Sequence, residues 1–219
     1  MILSSIANGE EKGDGTAWLD SRDQSRLADS VSPLLLASAS PRRRALLADA
    51  GVACEIATAD VIELRPGDAP NLDAAQMAEV NAGLKARAAW RPERWVLGAD
   101  TVVALEGRVF GKPATLREAR QFLRALSGRT HEVITACALL GSAGGDELFH
   151  EITRVTFRAL TDETIDRYLA AVPVLDKAGA YALQEQGELI IDCVEGSRTN
   201  VIGLPVERLA ELFRARGLL

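Results

Sequence analysis

"LLLASASPRRRALLADAGV", residues 34–52, decides the fold class. Leu34 to Ala37 form a short apolar run of the kind that becomes a buried strand. Two serines and a proline end it. Ser40 suits a helix N-cap, and Pro41 at the first helical position lacks an N–H that would find no partner there anyway. Leu46, Leu47 and Ala50 supply an inward face, and Gly51 marks the stop. Strand, tight turn and helix therefore follow directly on one another, the opening unit of an α/β protein.

The turn carries Arg42, Arg43 and Arg44. A helix start already bears free N–H groups and partial positive charge, so cations there are unfavourable unless an anion joins them. A solvated basic turn is the plainer reading of an arginine run. The Ser-x-Ser-Pro frame favours a bound polyanion such as phosphate. Successive helical residues are about 100° apart, so all three side chains cannot face one ligand.

Composition limits what that anion is. The chain has 219 residues, 47% of them hydrophobic and 26% charged, with a formal net charge of −6. An acidic chain lacks the broad basic surface that duplex nucleic acid requires, so a local arginine cluster fits a small anion better than a polymer. Cys54, Cys137 and Cys193 have no metal-type spacing and read as small apolar core residues in a reducing compartment. Two histidines, His131 and His150, rule out a His-rich metal site. No apolar run reaches membrane-spanning length. Residues 1–32 are polar, rich in Gly, Ser and Asp, and lack the apolar core of a signal peptide. They are expected to form a disordered extension, leaving 33–219 as the domain.

Along that domain, strands are expected at 52–61, 95–105, 131–141, 147–160 and 188–196. Helices are expected at 73–90, with Met77, Val80, Leu84 and Ala88 inward, at 115–128, from Thr161 to before Pro173, and from Pro205. "SAGGD" joins two of the strands as a hairpin. The alternation predicts a mixed β-sheet flanked by helices, in two lobes around a cleft.

Asp100 is the sharpest chemical signal, because a carboxylate inside the apolar run 95–105 needs a cation or a metal beside it. A structural turn-capping Asp is the weaker reading. Glu63 alone is an ordinary loop glutamate; with Asp100 it could complete a hard-oxygen site. Lys112 in "FGKP", Lys177, Tyr181 and Gln184 in "KAGAYALQEQG", and the small-residue loop "EGSRTNVIGLP" at 195–205 are places where backbone can approach a ligand closely. No nucleophile–base pair stands out, which leaves direct attack by water as the simplest chemistry.

Taken together, "ASASPRRRALLADAG", "GADTVV", "GKP", "SGRTHEVITACAL", "DKAGAYALQEQG" and "EGSRTNVIGLP" resemble, in order, the motifs of the Maf family of nucleoside triphosphate pyrophosphatases. The resemblance implies an elongated, two-lobed α/β fold related to the inosine triphosphate pyrophosphatases. It implies a cytoplasmic enzyme that uses a divalent cation, magnesium or manganese, and leaves open whether the chain pairs as a homodimer. It assigns Asp100 as proton acceptor and, with Glu63, as a metal carboxylate. Arg42, Arg43, Lys85, Lys112 and Lys177 become substrate-binding residues, and Arg42, Thr101 and Gln184 become the positions tied to base preference. Arg44 matches no fixed position and is expected to face solvent. The late loop, with Tyr181 and Gln184, resembles the branch acting on dTTP and UTP. Ala180, Ala182, Leu183 and Glu185 depart from the usual form of that loop, where three of the four are glycine, and Ala182 is expected to carry the conformational demand. A nucleotide-sensing regulator of cell division is the alternative that the resemblance implies.

Overall fold

The computed structural model describes residues 33–58, 60–141 and 145–219. The extension expected at 1–32 and part of the 142–146 hairpin connection lie outside the described residues.

Seven strands form one mixed sheet: β1 (Leu34–Leu36), β2 (Cys54–Ile56), β3 (Val96–Leu105), β4 (Arg108–Phe110), β5 (Thr130–Leu140), β6 (Glu147–Phe157) and β7 (Ile191–Glu195). The order is β2-β1-β3-β5-β6-β7, with β4 folded back onto β3. β1 runs parallel to β2 and β3, as the strand–helix unit at 34–49 dictates, while β3, β5, β6 and β7 pair antiparallel. Helices α1 (Pro41–Asp49), α2 (Ala74–Ala88), α3 (Leu116–Leu126), α4 (Asp162–Ala171), α5 (Arg198–Ile202) and α6 (Val206–Ala215) flank the sheet.

β3 organises the molecule because its side chains alternate between two faces. Val102 and Ala104 pack under α2 against Ala78, Ala82 and Ala86. Gly98 explains why that helix is lined with small residues. A Cβ on Gly98 would lie 2.2 Å from Ala82 O and 2.7 Å from Ala86 N, so helix backbone rests directly on strand backbone. The buried residues of α2 are accordingly Met77, Ala78, Asn81, Ala82, Gly83 and Ala86. Val80 and Ala88, expected inward, are exposed. Large apolar residues predict a face only where there is room for them, and Gly98 removes that room.

The other face of the sheet carries two separate cores. Leu97, Ala99, Cys137 and Leu139 pack with Leu46 and Leu47 of α1 and with Leu209 and Phe213 of α6. Val103, Leu105, Val133, Val155 and Phe157 pack with α3 and α4 through Phe122, Leu123 and Tyr168. Thr101 and Thr135 sit between these two cores, partners across β3 and β5, with their hydroxyls 3.0 Å apart.

Four other expectations change. The strand expected at 52–61 shortens to Cys54–Ile56. The loop at 195–205 contains the short helix α5, capped by the Ser197 side chain. Of the cysteines, Cys137 is in the core, Cys54 is half-buried and Cys193 is exposed. Ala182 has ordinary backbone, whereas Ala180 stands at φ +63° and carries the left-handed conformation of the late loop.

Candidate active site

A gap in strand pairing makes the site. β1 accompanies β3 only as far as Leu97, and β4 joins the same strand only from Val103. Asp100 and Thr101 lie on the stretch between, opposite Ala136 and Thr135 of β5 on the other side. A cleft of about 490 Å³ opens there, lined by the β1–α1 turn, Thr58, Asp60, Val61 and Glu63, by Lys85 and Lys112, and by residues of the loop 176–184 and Gly203. That volume lies within the range of small-molecule sites, roughly 300–1,000 Å³. Five cationic side chains (Arg42, Arg43, Lys85, Lys112 and Lys177) face four carboxylates (Asp60, Glu63, Asp100 and Asp176), so the cleft is locally cationic in a chain of net charge −6.

Alternation along β3 sends Asp100 and Thr101 to opposite faces, and each meets a different helix. On the α2 side, Lys85 Nζ lies 2.7 Å from Asp100 Oδ1 and 2.8 Å from Glu63 Oε2. Burial alone would raise the Glu63 carboxyl, but the Lys85 hydrogen bond and charge, with Lys112 and Arg43 beyond, hold it below the usual range. Asn81 completes the cluster by donating to Asp100 Oδ2 at 3.2 Å. Its amide also clasps Leu64, accepting from the backbone N–H at 2.8 Å and donating to the carbonyl at 3.0 Å. Residue 64 follows Glu63 directly, so one buried amide fixes both carboxylate-bearing segments.

On the α1 side, Arg43 is held at three points. Nε donates to Gly203 O at 2.9 Å, one terminal nitrogen to Ser38 Oγ at 3.0 Å and the other to Thr101 Oγ1 at 3.0 Å. A guanidinium has five N–H groups, so these bonds aim it while leaving capacity for a ligand. Burial lowers its pKa, an effect that the nearby charges of Asp100 and Glu63 oppose. Ser40 occupies the N-cap position without a side-chain cap bond. Ser38 Oγ instead accepts the Ser40 N–H at 3.3 Å, together with Arg43. Thr101, expected to bear on base preference, is thus committed to Arg43 and Thr135.

Arg42 pairs with Asp176 at 2.8 Å on the rim of the cleft, and Arg44 is exposed, as the helical spacing requires. Lys112 lines the cleft from an exposed position, its turn anchored where Gly111 O accepts the Gly179 N–H at 3.1 Å. Gln184 is an exposed lining residue at the mouth. Lys177 behaves differently: its ammonium is buried, donates to Pro173 O and Asp176, and forms an ion pair with Glu185.

Sequence reasoning missed Asn81 and Asp176, and it singled out Ser38 only as part of the Ser-x-Ser-Pro frame. Asn81 is the one a signal could have found, as an amide on the inward stripe of α2, a position that demands buried partners.

Fold and cleft define an α/β protein with a cationic, nucleotide-sized cavity beside its central strand. The chain belongs to the Maf family: the model described as Maf-like protein matches residues 33–216. It is 46% identical over 189 residues to a protein of Akkermansia muciniphila named dTTP/UTP pyrophosphatase, covering 85% of this chain and 98% of that one. A Pelotomaculum thermopropionicum protein of the same name is 46% identical over 190 residues, with 85% and 98% covered. Among solved structures, the Staphylococcus aureus Ham1 protein aligns over 84% of this chain and 99% of its own at 14% identity, with a TM-score of 0.48. No helix among the described residues is long and apolar enough to cross a membrane.

Proposed function

We propose that this chain hydrolyses nucleoside triphosphates, dTTP and UTP foremost, to the nucleoside monophosphate and pyrophosphate. The observation that carries this reading is the 46% identity along 98% of the length of relatives named for that activity. Such an enzyme clears the free nucleotide pool, so its place of work is the cytoplasm.

The reaction adds water across the α–β anhydride. Water oxygen bonds to the α-phosphorus, the bridging oxygen leaves on pyrophosphate, and a base accepts the water proton. Asp100 is the base that best suits the geometry: it lies in the gap of β3 and is held on both oxygens by Lys85 and Asn81. Lys112, Arg42 and the unused N–H groups of Arg43 are placed to bind phosphate oxygens by charge-assisted bonds.

The donor set fits a divalent cation. Glu63 and Asp100 already converge on one positive charge, the Lys85 ammonium. Among the described residues no group of three or more His, Cys, Asp or Glu comes together, so a closed all-protein site is absent. Magnesium or manganese shared between one or two carboxylates and substrate phosphates suits that set, with Glu63 and Asp100 holding it. When bound, the cation neutralises phosphate charge.

Base choice is assigned to Gln184. Its amide offers a donor and an acceptor, matching the N3–H and carbonyl edge that thymine and uracil share. Cytosine presents a different pattern there, and a mismatched polar pair in a cleft is costly.

The test is pyrophosphate release, with magnesium or manganese, from dTTP, UTP, CTP and guanine triphosphates. Preferred cleavage of dTTP and UTP is expected. A panel led by guanine nucleotides would overturn the base assignment. Binding without turnover would leave the sensing role instead.

A further inference from the structure

Lys177 has three ammonium protons and three acceptors around it: Pro173 O, Asp176 Oδ1 at 2.9 Å and Glu185 Oε1 at 3.3 Å. It is only 4% exposed. Two of its protons are hydrogen-bonded and Glu185 balances the remaining charge, although the side chain borders the cleft. Its two carboxylate partners stand at the two ends of the loop that carries Gln184, and Asp176 also holds Arg42 at 2.8 Å. Arg42, Asp176, Lys177 and Glu185 therefore form one continuous chain of ion pairs. Its charges balance within the network, so what it adds beyond the phosphate contact of Arg42 itself is geometry.

The loop needs such a tie. Ala180 sits at φ +63°, a conformation that is unfavourable for an L-residue and persists only where its surroundings hold it. From below, the buried Tyr181 is fixed by its hydroxyl 2.8 Å from His131 Nε2, and Gly179 packs on Val103. Next, the Tyr168 hydroxyl accepts the Ala182 N–H at 3.0 Å and Leu183 packs on the core, while beyond them the exposed Gln184 is followed by Glu185, which ties back to Lys177.

We propose that Lys177 is a positioning residue that closes the loop 176–185 into a ring and so couples base selection at Gln184 to phosphate binding at Arg42. This deepens the reading of the chain as a dTTP/UTP pyrophosphatase. Glu185 is the accessory that makes the ring, half-exposed and outside the catalytic cluster.

Two measurements on the purified full chain test it. In Glu185→Gln, kcat for dTTP is retained, while the preference for dTTP over CTP in kcat/KM falls about tenfold, the value of one or two misaligned neutral hydrogen bonds. Glu185→Asp restores part of that preference. Lys177→Met gives the larger loss of preference. Independently of any activity, hydrogen exchange without nucleotide should be about fivefold faster at amides 178–186 in Glu185→Gln, as loss of a partly exposed ion pair predicts. Should Lys177→Met not fold, the Glu185 variants decide alone. A uniform rise in KM for every triphosphate, with preference and loop exchange unchanged, would make Lys177 a phosphate ligand and overturn the proposal. If the wild type shows no pyrimidine preference, the functional reading fails, and loop exchange still decides the ring.

Discussion

Asn81 Nδ2 donates to Asp100 Oδ2 at 3.2 Å and, through its other hydrogen, to Leu64 O at 3.0 Å. The amide is 2% exposed. It therefore ties a residue of β3 to the segment bearing Glu63 without adding charge. Asn81→Leu leaves the Leu64 N–H and carbonyl unpaired, and each unsatisfied buried group costs roughly 1–3 kcal/mol. The expected result is a fall in melting temperature together with a loss in kcat, since both carboxylate segments are released. Normal kcat in a destabilised variant would show that Asn81 holds the fold and not the site.

Asp100→Asn is nearly isosteric, keeps a partner for Asn81 after an amide turn, and removes the candidate base. Losing a positioned general base lowers the rate roughly 10²–10⁴-fold. Turnover should fall by at least that range while the thermal midpoint moves by a few degrees. Retention of a large share of wild-type pyrophosphate release, measured in single-turnover assays, would remove Asp100 from the chemistry.

The β1–α1 unit was legible because its signals are local: an apolar run, Ser-Pro punctuation and helical spacing all lie within 34–52. Asp100 was legible because a carboxylate in an apolar strand is a conflict visible in one dimension. Asn81, Asp176 and the bonds of Lys177 were not. Asn81 meets a strand 19 residues away and Arg42 meets Asp176 across 134 residues, distances at which sequence pattern carries no pairing information. The face of α2 was misplaced for a related reason: contact with Gly98 selects small residues, so size stopped marking the core. The strain went to Ala180 and not Ala182 because the loop turns beneath Tyr181, which only the packing on Val103 and His131 reveals.

Gly98→Ala tests that contact. The added Cβ would meet the Ala82 carbonyl oxygen and the Ala86 nitrogen, both helix backbone that cannot rotate aside. Overpacking of a core costs typically 1–3 kcal/mol and more where backbone must shift, so a drop of at least about 3 kcal/mol in urea stability is expected. α2 carries Lys85 and Asn81, so activity should fall with it. A variant of unchanged stability would mean that α2 stands off β3 further than described.

Arg43 and Arg44 separate the two roles of the arginine run. Arg43→Ala breaks bonds to Ser38, Thr101 and Gly203, which belong to three different segments around the cleft. A charge-assisted bond removed there is worth roughly 1.5–3 kcal/mol, or about ten- to hundred-fold in kcat/KM. Arg44 is exposed and its alanine variant should match the wild type. Equal losses at the two positions, read from initial rates, would contradict the orientation of α1.

His131 sets the pH dependence of stability near neutrality. It is 2% exposed, wedged between Phe157 and Tyr181 with ring centroids 4.8 and 5.4 Å away. Burial lowers its pKa from 6.5 to about 4. The sign follows from proton counting. Between about 4 and 6.5 the unfolded chain holds a proton on this ring and the folded chain does not, so stability rises with pH across that window. The full contribution is present above 6.5 and is lost as pH falls toward 4, amounting to about 3 kcal/mol at most. Glu63, Asp176 and Glu207 are carboxyls held below their usual values, so their stabilising share is lost only at lower pH, below about 4.5. The slope between about pH 5 and 6.5 is therefore assigned to His131. His131→Phe keeps the aromatic packing, gives up the bond to Tyr181 and removes the titration. Urea midpoints measured across this range should climb with pH in the wild type and stay nearly flat in His131→Phe, whose absolute stability is lower near neutrality. A variant that retains the wild-type slope would place the titrating group elsewhere.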